Sequence, residues 1–287
     1  MLIRVENLSF RYAGAQEPAL CEVNLEIAPG SFVGLVGSAG AGKTTLLRCL
    51  NGLVPHFYGG TLTGRVTLDG VALADLSVAA IARTVGTVLE DAESQLVCAE
   101  VEEEVAFALE NLQLGPAAIR ARVQGALEMV GAAHLARRPT ASLSGGEKQR
   151  VAIAAVLALR PRVLLLDEPA SELDPRGTEE LFAVLGRLRR ECGLTMVVAE
   201  QKTGHLARYA DRIVVLDRGR VVVDGPPRPV FSRAAELAAC GVRLPQVAEL
   251  AAALGGAGET TPLTPAEGRV WLEELLGGGR RVRAARG

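Results

Sequence analysis

The sequence predicts an α/β fold with a mostly parallel sheet, and two observations carry this prediction. First, apolar runs typical of buried strands alternate with helical stretches along residues 1–226. Second, the apolar run 32–36 leads through a glycine-rich turn directly into a segment of helical character. Parallel strands joined by helices place their carboxyl ends at one edge of the sheet. We therefore expect polar residues that follow these strands to meet there.

Strands are predicted where a short apolar or alternating run ends at a turn signal. Asp69-Gly70 and Asp224-Gly225 are two such signals. The predicted strands cover, in chain order, residues 2–11, 23–27, 32–36, 65–68, 85–89, 163–166, 194–199, 212–216 and 220–223.

Helices are predicted from apolar spacing and from cap signals. A Glu- and Ala-rich stretch is broken at Gly115-Pro116, and Ser144 with Glu147 three residues later has the spacing of a capping box. The predicted helices cover residues 76–83, 94–130, 144–159, 178–192, 234–254 and 266–276. The proline-rich segment 225–229 is predicted to be a linker. It divides the chain into a domain of residues 1–226 and a small helical extension of residues 227–287.

Composition and charge narrow the class of protein. The 287 residues are 49% hydrophobic and 22% charged, which suits a globular protein with a sizeable core. The net charge of −2 does not favour a nucleic-acid surface, so we expect no nucleic-acid partner. The five cysteines are dispersed, as for reduced thiols in the cytosol. Residues 1–6 show no leader pattern, and no apolar run approaches the ~20 residues of a membrane-spanning helix.

The glycine-rich turn after residues 32–36 is the most informative local motif. Its glycines let backbone N–H groups turn inward onto phosphate oxygens, and the following helix adds the positive end of its dipole. In such a P-loop, Lys43 is expected to reach the β and γ phosphates of a nucleoside triphosphate, and the Thr44 hydroxyl to bind Mg²⁺. The predicted nucleotide-binding residues here are Gly37, Ser38, Ala39, Gly40, Ala41, Gly42, Lys43, Thr44 and Thr45.

Two acidic residues follow the apolar run 163–166 and are expected beside the P-loop. Asp167 is predicted to hold Mg²⁺, directly or through water. Glu168 is predicted to act as the general base that polarises the attacking water, an effect worth roughly 10²–10⁴ in rate.

Residues 143–150, Leu-Ser-Gly-Gly-Glu-Lys-Gln-Arg, carry the most specific motif. They resemble the signature motif of ABC ATPases, usually Leu-Ser-Gly-Gly-Gln, with Glu147 in the last place. The P-loop and Asp167-Glu168 stand in that family's order and spacing, and Asp174 belongs to a segment that resembles its D-loop. Tyr12 occupies the place of the aromatic residue that stacks on adenine. The predicted signature residues are Ser144, Gly145, Gly146 and Glu147.

The resemblance implies a P-loop ABC-type ATPase domain in residues 1–226, with a helical signature subdomain at about 90–160. It implies ATP and Mg²⁺ as cofactors. It also implies a head-to-tail dimer with a second ABC ATPase subunit, in which the signature of one subunit contacts the ATP bound by the other. Ser144 would donate its hydroxyl there, while Gly145 and Gly146 would let backbone amides approach the γ-phosphate. The partner is either a second copy or a paralogue.

A narrower resemblance concerns residues 91–96, 100–107 and 110–112, which are similar to the ATPases of energy-coupling-factor importers, including cobalt and nickel importers. The tail segments 241–245 and 262–267 resemble the C-terminal extension of that subfamily, which would be associated with the dimer. The resemblance implies a peripheral subunit at the cytoplasmic face of the membrane. Its partners would be a transmembrane coupling subunit, docked on residues 95–107, and a membrane component that binds a vitamin or a transition-metal ion.

Two positions depart from the family pattern. Glu90 aligns with the glutamine that senses Mg²⁺ and contacts the membrane subunit, so we assign it both a metal-site and a catalytic position. Gln201 aligns with the switch histidine near the γ-phosphate, and His205 lies four residues later as a possible substitute. Two alternatives stay open. One is an ABC ATPase that acts on DNA or the ribosome, and the other is a weakly hydrolysing partner subunit of a heterodimer.

Overall fold

The chain forms two β-sheets with helices on both faces of the larger one. The structure is a computed structural model that describes residues 2–256, 258 and 260–284, with side chains described as far as residue 276. The strands, in chain order, are β1 Ile3–Tyr12, β2 Leu20–Ile27, β3 Phe32–Val36, β4 Gly60–Leu68, β5 Val71–Ala72, β6 Val85–Val88, β7 Val163–Asp167, β8 Thr195–Ala199, β9 Arg212–Asp217 and β10 Arg220–Gly225.

The larger sheet has the strand order β10-β9-β3-β8-β7-β6. Its neighbours pair in parallel from β9 to β6, and only β10 is antiparallel. The smaller sheet, in the order β2-β1-β4-β5, is antiparallel throughout. The predicted α/β fold with a mostly parallel sheet is confirmed.

The predicted helical stretches are helical in the structure, but the stretch 234–254 is interrupted at residues 240–245, and the helices at residues 53–56, 203–209 and 227–231 were not predicted. In chain order the helices are α1 Lys43–Leu50, α2 Leu53–His56, α3 Val78–Ala82, α4 Ala92–Gln95, α5 Val101–Glu110, α6 Pro116–Met129, α7 Gly145–Ala158, α8 Pro175–Cys192, α9 Thr203–Tyr209, α10 Pro227–Phe231, α11 Ala234–Ala239, α12 Gln246–Ala253 and α13 Pro265–Ala284.

The predicted helix over 94–130 is in fact three helices, α4, α5 and α6. Besides the break at Gly115, the chain is extended between Gln95 and Val101. The buried carboxylate of Glu104 causes this second break, because it accepts the backbone N–H groups of Val97 and Cys98, each at 2.7 Å. A pattern of spacing alone does not reveal a side chain that reaches back to bind the preceding loop.

Strand β7 separates two hydrophobic cores. Side chains alternate across a strand, so Val163 and Leu165 join the core beneath the smaller sheet and helix α1. Leu164 and Leu166 join the other core, under the helices that carry the signature motif. All five residues of β7 are buried, which explains its continuous apolar sequence.

The segment 225–229 is not a free linker. Pro227 occupies the first turn of helix α10, where a missing N–H costs nothing. The next residues, Val230 and Phe231, are fully buried in the same core as the helical subdomain, together with Leu237 and Leu263 of the extension. The extension therefore packs directly onto the domain that precedes it. Helix α13 also continues past residue 276, where its prediction ended, to Ala284.

Candidate nucleotide site

The turn between β3 and α1 has the geometry that the predicted P-loop requires. Gly42, at φ +104°, lies in the left-handed region at the start of α1. A Cβ atom there would lie 2.6 Å from the carbonyl oxygen of Ala19, so the position admits no side chain. The first N–H groups of α1 have no partner within the helix, as at every helix start, and are free to bind an anion.

The side chain of Lys43 folds back over this loop. It is only 5% exposed, and its Nζ atom donates to the carbonyl oxygens of Gly37 at 3.1 Å and Ser38 at 3.2 Å. The same Nζ atom lies 3.4 Å from Oε1 of Glu168. The structure thus brings the predicted phosphate-binding lysine and the predicted general base together.

Asp167 and Thr44 form an oxygen pair suited to a hard cation. The Asp167 carboxyl is buried at the end of β7, and the Thr44 side chain lies near it. Burial raises the pKa of Asp167, while the Thr44 contact opposes this rise. Oδ1 of Asp167 is buried and has no hydrogen-bond partner among the described residues. An unpartnered carboxylate oxygen beside a hydroxyl is a donor set that Mg²⁺ accepts.

Glu168 is held by the strand beside it. Its φ of +44° is unusual for a non-glycine residue, and its N–H donates to the carbonyl oxygen of Ala199 at 2.8 Å. Nε2 of Gln201 lies 2.8 and 2.9 Å from the two carboxylate oxygens of Glu168. Gln201 therefore lies in the site, in contact with the predicted general base.

Glu90 faces the same group of charges. Partial burial raises its pKa, and the carboxylates of Glu168 and Asp167 raise it further, whereas Lys43 lowers it. Glu90 thus adds a third carboxyl group to the neighbourhood of Asp167 and Glu168.

Two residues of this neighbourhood were missed by the sequence analysis. The Glu200 carboxylate is buried, and its Oε1 atom accepts the N–H groups of Gln201 at 2.8 Å and Lys202 at 3.0 Å. Lys202 in turn donates from Nζ to the carbonyl oxygen of Ala170 at 2.6 Å. Neither residue belongs to a recognisable motif. The only available signal was a charged pair directly after the apolar strand β8.

His205 lies elsewhere and contacts helix α8. Its ring stacks on Phe182 at a centroid distance of 5.0 Å, and its Nδ1 atom lies 3.4 Å from Oε2 of Glu179. Burial lowers the pKa of His205. These contacts place His205 away from Glu168 and leave Gln201 as the side chain at the switch position.

The signature residues form a second site. Ser144 caps helix α7: its Oγ atom accepts the N–H of Glu147 at 3.4 Å, and the Glu147 carboxylate accepts the Ser144 N–H at 2.8 Å. This capping box agrees with the predicted one. The hydrogen bond from Ser144 is the main reason that the pKa of Glu147 is lowered, and Arg138 contributes at 3.2 Å.

Ser144, Gly145, Gly146 and Glu147 line a cleft of about 620 Å³ together with Asp174. Asp174 also caps helix α8, through a bond from the N–H of Gly177 at 2.6 Å. Among the described residues that line this cleft, none belongs to the P-loop. The predicted signature and D-loop residues thus share one cleft, whose described lining includes no P-loop residue.

Comparison with known proteins identifies the family to which the chain belongs. Residues 20–171 match the family of ABC transporters. A protein of Pyrococcus horikoshii assigned as an ABC transporter ATP-binding protein is 44% identical over 244 residues, which span 85% of this chain and 86% of that protein. A Streptomyces coelicolor protein assigned in the same way is 44% identical over 232 residues, or 80% of this chain and 41% of the longer relative.

Solved structures agree. The protein cbiO1 of Clostridium perfringens, described as part of the ABC transporter complex cbiONQ, has a TM-score of 0.75 and 33% identity, covering 87% of this chain and 98% of its own. The dimeric bacterial ABC transporter cassette MJ0796 has a TM-score of 0.69 and 30% identity, covering 79% of this chain and 99% of its own. The chain belongs to the ABC transporter family. It is an ATP-binding subunit, and it hydrolyses ATP to drive transport.

Proposed function

We propose that this chain is the ATPase subunit of an energy-coupling-factor importer for a micronutrient, either a vitamin or a transition-metal ion. The extent of the similarity to cbiO1 carries this proposal. Residues 1–226 make up 79% of the 287 residues, whereas the similarity covers 87% of the chain and hence part of the extension. The similarity to the cassette MJ0796 covers a smaller share, 79% of the chain. The C-terminal extension is the part that we assign to the subfamily.

ATP binding would rest on the P-loop residues 37–45, with Lys43 on the β and γ phosphates. Mg²⁺, held by Thr44 and Asp167 with Glu90 near it, would neutralise the charge of the phosphate oxygens. Glu168 would accept a proton from the attacking water, and the amide of Gln201 would hold the Glu168 carboxylate in place through the 2.8 Å contact.

Hydrolysis would require two chains. The signature cleft of one chain, lined by Ser144, Gly145 and Glu147, would close over the γ-phosphate held by the partner's P-loop. Because the described lining of the signature cleft includes no P-loop residue, a lone subunit would have an incomplete site. The dimer of the related cassette MJ0796 supports this arrangement.

The membrane subunit would dock on the cleft between helices α5 and α6. This cleft has a volume of about 830 Å³ and is lined by Cys98, Phe107 and Val123 among apolar groups. Phe107 is 51% exposed and Val97, which lies in the loop held by Glu104, is 68% exposed. The cleft is also lined by four glutamates, at positions 102, 103, 110 and 128, and by the two arginines Arg120 and Arg137, so negative charge is in excess. Exposed apolar side chains among such charges suit an amphipathic helix with basic residues. No helix among the described residues is itself long and apolar enough to cross a bilayer.

Affinity purification of the tagged chain from solubilised membranes tests the proposal. We expect an integral membrane subunit and a small membrane substrate-binding component to co-purify in fixed ratio. Recovery with ribosomes or with DNA-binding proteins, and without any membrane subunit, would favour the other class of ABC ATPase instead.

A further inference from the structure

The ring of Tyr12 is fixed by contacts that adenine stacking alone does not require. It lies at the end of β1, half-buried, with the edge of Phe10 at a centroid distance of 4.8 Å. Its hydroxyl lies 3.1 Å from Oγ1 of Thr45, and Nη1 of Arg48 donates to the same hydroxyl at 3.1 Å. A residue that served only as a flat stacking face would need no hydroxyl contact.

Arg48 is itself held in place. Its guanidinium lies over the ring of Tyr58 at 4.3 Å from the centroid, a cation–π contact. Tyr58 in turn meets Tyr12 edge-on, at 6.3 Å with an interplanar angle of 89°. Arg48 therefore bridges the two tyrosines.

A glycine allows this approach. Gly60 at the start of β4 pairs with Tyr12 in β1. A Cβ atom at Gly60 would lie 2.2 Å from the carbonyl oxygen of Arg11 and 2.8 Å from the ring of Phe10. Without a side chain at Gly60, β4 comes close enough for Tyr58, two residues earlier, to reach the Tyr12 ring.

The contacts join the two ends of the nucleotide site. Thr45 and Arg48 both belong to α1, the helix that begins at the P-loop. The Tyr12 hydroxyl therefore connects the stacking face to the helix that carries the phosphate-binding residues. A ring held in one rotamer loses no further freedom when a base stacks on it, so its stacking contributes more to affinity.

We propose that Arg48 and Tyr58 are positioning residues for the base of the nucleotide, and that they act by holding the Tyr12 ring through its hydroxyl. The inference rests on the proposed stacking of adenine on Tyr12. It predicts that the hydroxyl contributes to base preference although it does not touch the base.

The test measures Kd for Mg-ATP and Mg-UTP by calorimetry on the full-length chain. The two nucleotides share ribose and triphosphate and differ in the base, and purines stack more strongly than pyrimidines. Arg48 also stabilises the charge of Asp167, and this contribution cancels in the ratio of the two Kd values. The variants are Tyr12→Phe, which keeps the ring, Arg48→Met, and the double variant. Tyr58→Phe, which keeps the ring beneath Arg48, is the matched control.

We expect Tyr12→Phe and Arg48→Met each to lower the preference for ATP over UTP about 3- to 10-fold, the effect of one or two hydrogen bonds. In this preference the double variant should be no worse than Tyr12→Phe, because loss of the hydroxyl already removes the Arg48 contact. Tyr58→Phe should behave as the parent, whereas Tyr58→Leu should resemble Arg48→Met.

Equal loss of ATP and UTP affinity, additive losses in the double variant, or an unchanged ATP affinity would each overturn the positioning role. Tyr12→Ala separates this outcome from failure of the stacking proposal. If Tyr12→Ala lowers the preference for ATP and Tyr12→Phe does not, stacking holds and positioning fails. If Tyr12→Ala leaves the preference unchanged, the stacking proposal itself is wrong.

Discussion

At the scale of single residues, the charged groups around Glu168 decide what the site can do. Its carboxylate is shared between Nζ of Lys43 and the amide of Gln201. Both groups donate to the carboxylate and hold it in place, and its oxygens keep further lone pairs that can accept a proton. A water placed on the open side of Glu168 can still give up its proton there.

Replacement of Glu168 by glutamine tests this role. The amide keeps the shape of the side chain but cannot accept a proton, so we expect ATP binding to persist while hydrolysis falls about 10²–10⁴-fold. The Glu168→Gln protein should then accumulate as a closed ATP-bound dimer in gel filtration. Lys43→Ala is the counterpart, since loss of the phosphate contact should remove both nucleotide binding and hydrolysis. Hydrolysis by Glu168→Gln at the parental rate would exclude Glu168 as the base.

The sequence predicted the residues of the site that lie in continuous motifs and missed those that reach it through the fold. Lys43, Asp167 and Glu168 each follow a buried strand in a recognisable motif. Glu200 and Lys202 act through backbone groups of their neighbours and of Ala170, and no spacing in the sequence encodes such contacts. The position of His205 was left open for the same reason, because the packing of α9 on α8 brings its ring to Phe182 and Glu179, and no spacing in the sequence encodes that packing.

At the scale of elements, helices α8 and α9 are joined by His205, which contacts Phe182 and Glu179 of α8. Burial lowers the pKa of His205 below its usual 6.5; the Glu179 carboxylate opposes this effect, whereas Arg208 and Lys202 add to it. In the window below 6.5 the unfolded chain therefore binds more protons at this position than the folded protein does. The contribution to stability is complete above pH 6.5 and declines as the pH falls towards the lowered pKa.

As the pH falls from about 7.5 to 5, we therefore expect His205→Gln to lose less stability than the parent. The measurement is the denaturation midpoint at each pH. His134→Gln is the matched control, because His134 is exposed and its replacement should leave the pH dependence as it is. If the denaturation midpoint changes with pH as steeply in His205→Gln as in the parent, protonation of His205 does not affect the packing of α8 on α9.

The cleft between α5 and α6 gives the second prediction at this scale. Glu103 is a poor target for charge reversal, because its carboxylate also accepts the N–H of Glu100 at the start of α5. Glu110 lines the cleft at the other end of α5, where a lysine would be favourable to the helix dipole. We expect Glu110→Lys to weaken co-purification with the membrane subunit and to leave ATP affinity unchanged.

Glu191→Lys serves as the control for Glu110→Lys. Glu191 is likewise exposed in the last turn of a helix, α8, but it does not line the cleft. Equal membrane-subunit recovery with both variants would place the docking surface elsewhere.

Elements were predicted best where burial is complete. Strand β3 occupies residues 32–36, as predicted, because a strand buried on both faces is apolar at every position. Strand β4 is five residues longer than predicted, since its outer part, from Gly60, is exposed and carries no apolar pattern. The sequence pattern did not predict the order of strands in the sheet, because pairs such as β3 and β8 join segments more than a hundred residues apart.

At the scale of the whole molecule, the unusual pair Glu90 and Gln201 bears on which chain this one pairs with. Gln201 can donate a hydrogen bond but cannot become cationic, and loss of one well-placed hydrogen-bond donor costs roughly 10²–10³ in rate in other enzymes. Glu90 adds a carboxylate next to Asp167 and Glu168. Like charges at ~4 Å repel by about 4 kcal/mol at an effective dielectric of 20.

We therefore expect slow hydrolysis at the site built on this P-loop, and pairing with a paralogue that supplies a faster site. The measurement is the ATPase rate of the purified chain alone, then of Gln201→His and of Glu90→Gln. A gain of at least tenfold in either variant is the expected result. Fast hydrolysis by the unmodified homodimer, with no gain from either substitution, would exclude the proposal.

The burial of Val230 and Phe231 bears on whether the domain of residues 1–226 is stable without the extension. Deleting a buried phenylalanine side chain costs about 3–5 kcal/mol, while a whole domain is stable by about 5–15 kcal/mol. Removing the extension would delete both residues and uncover the side chains of β9 that share their core. We therefore expect the two parts to unfold in one cooperative transition, and a protease cut near residue 226 to leave no stable ATPase fragment.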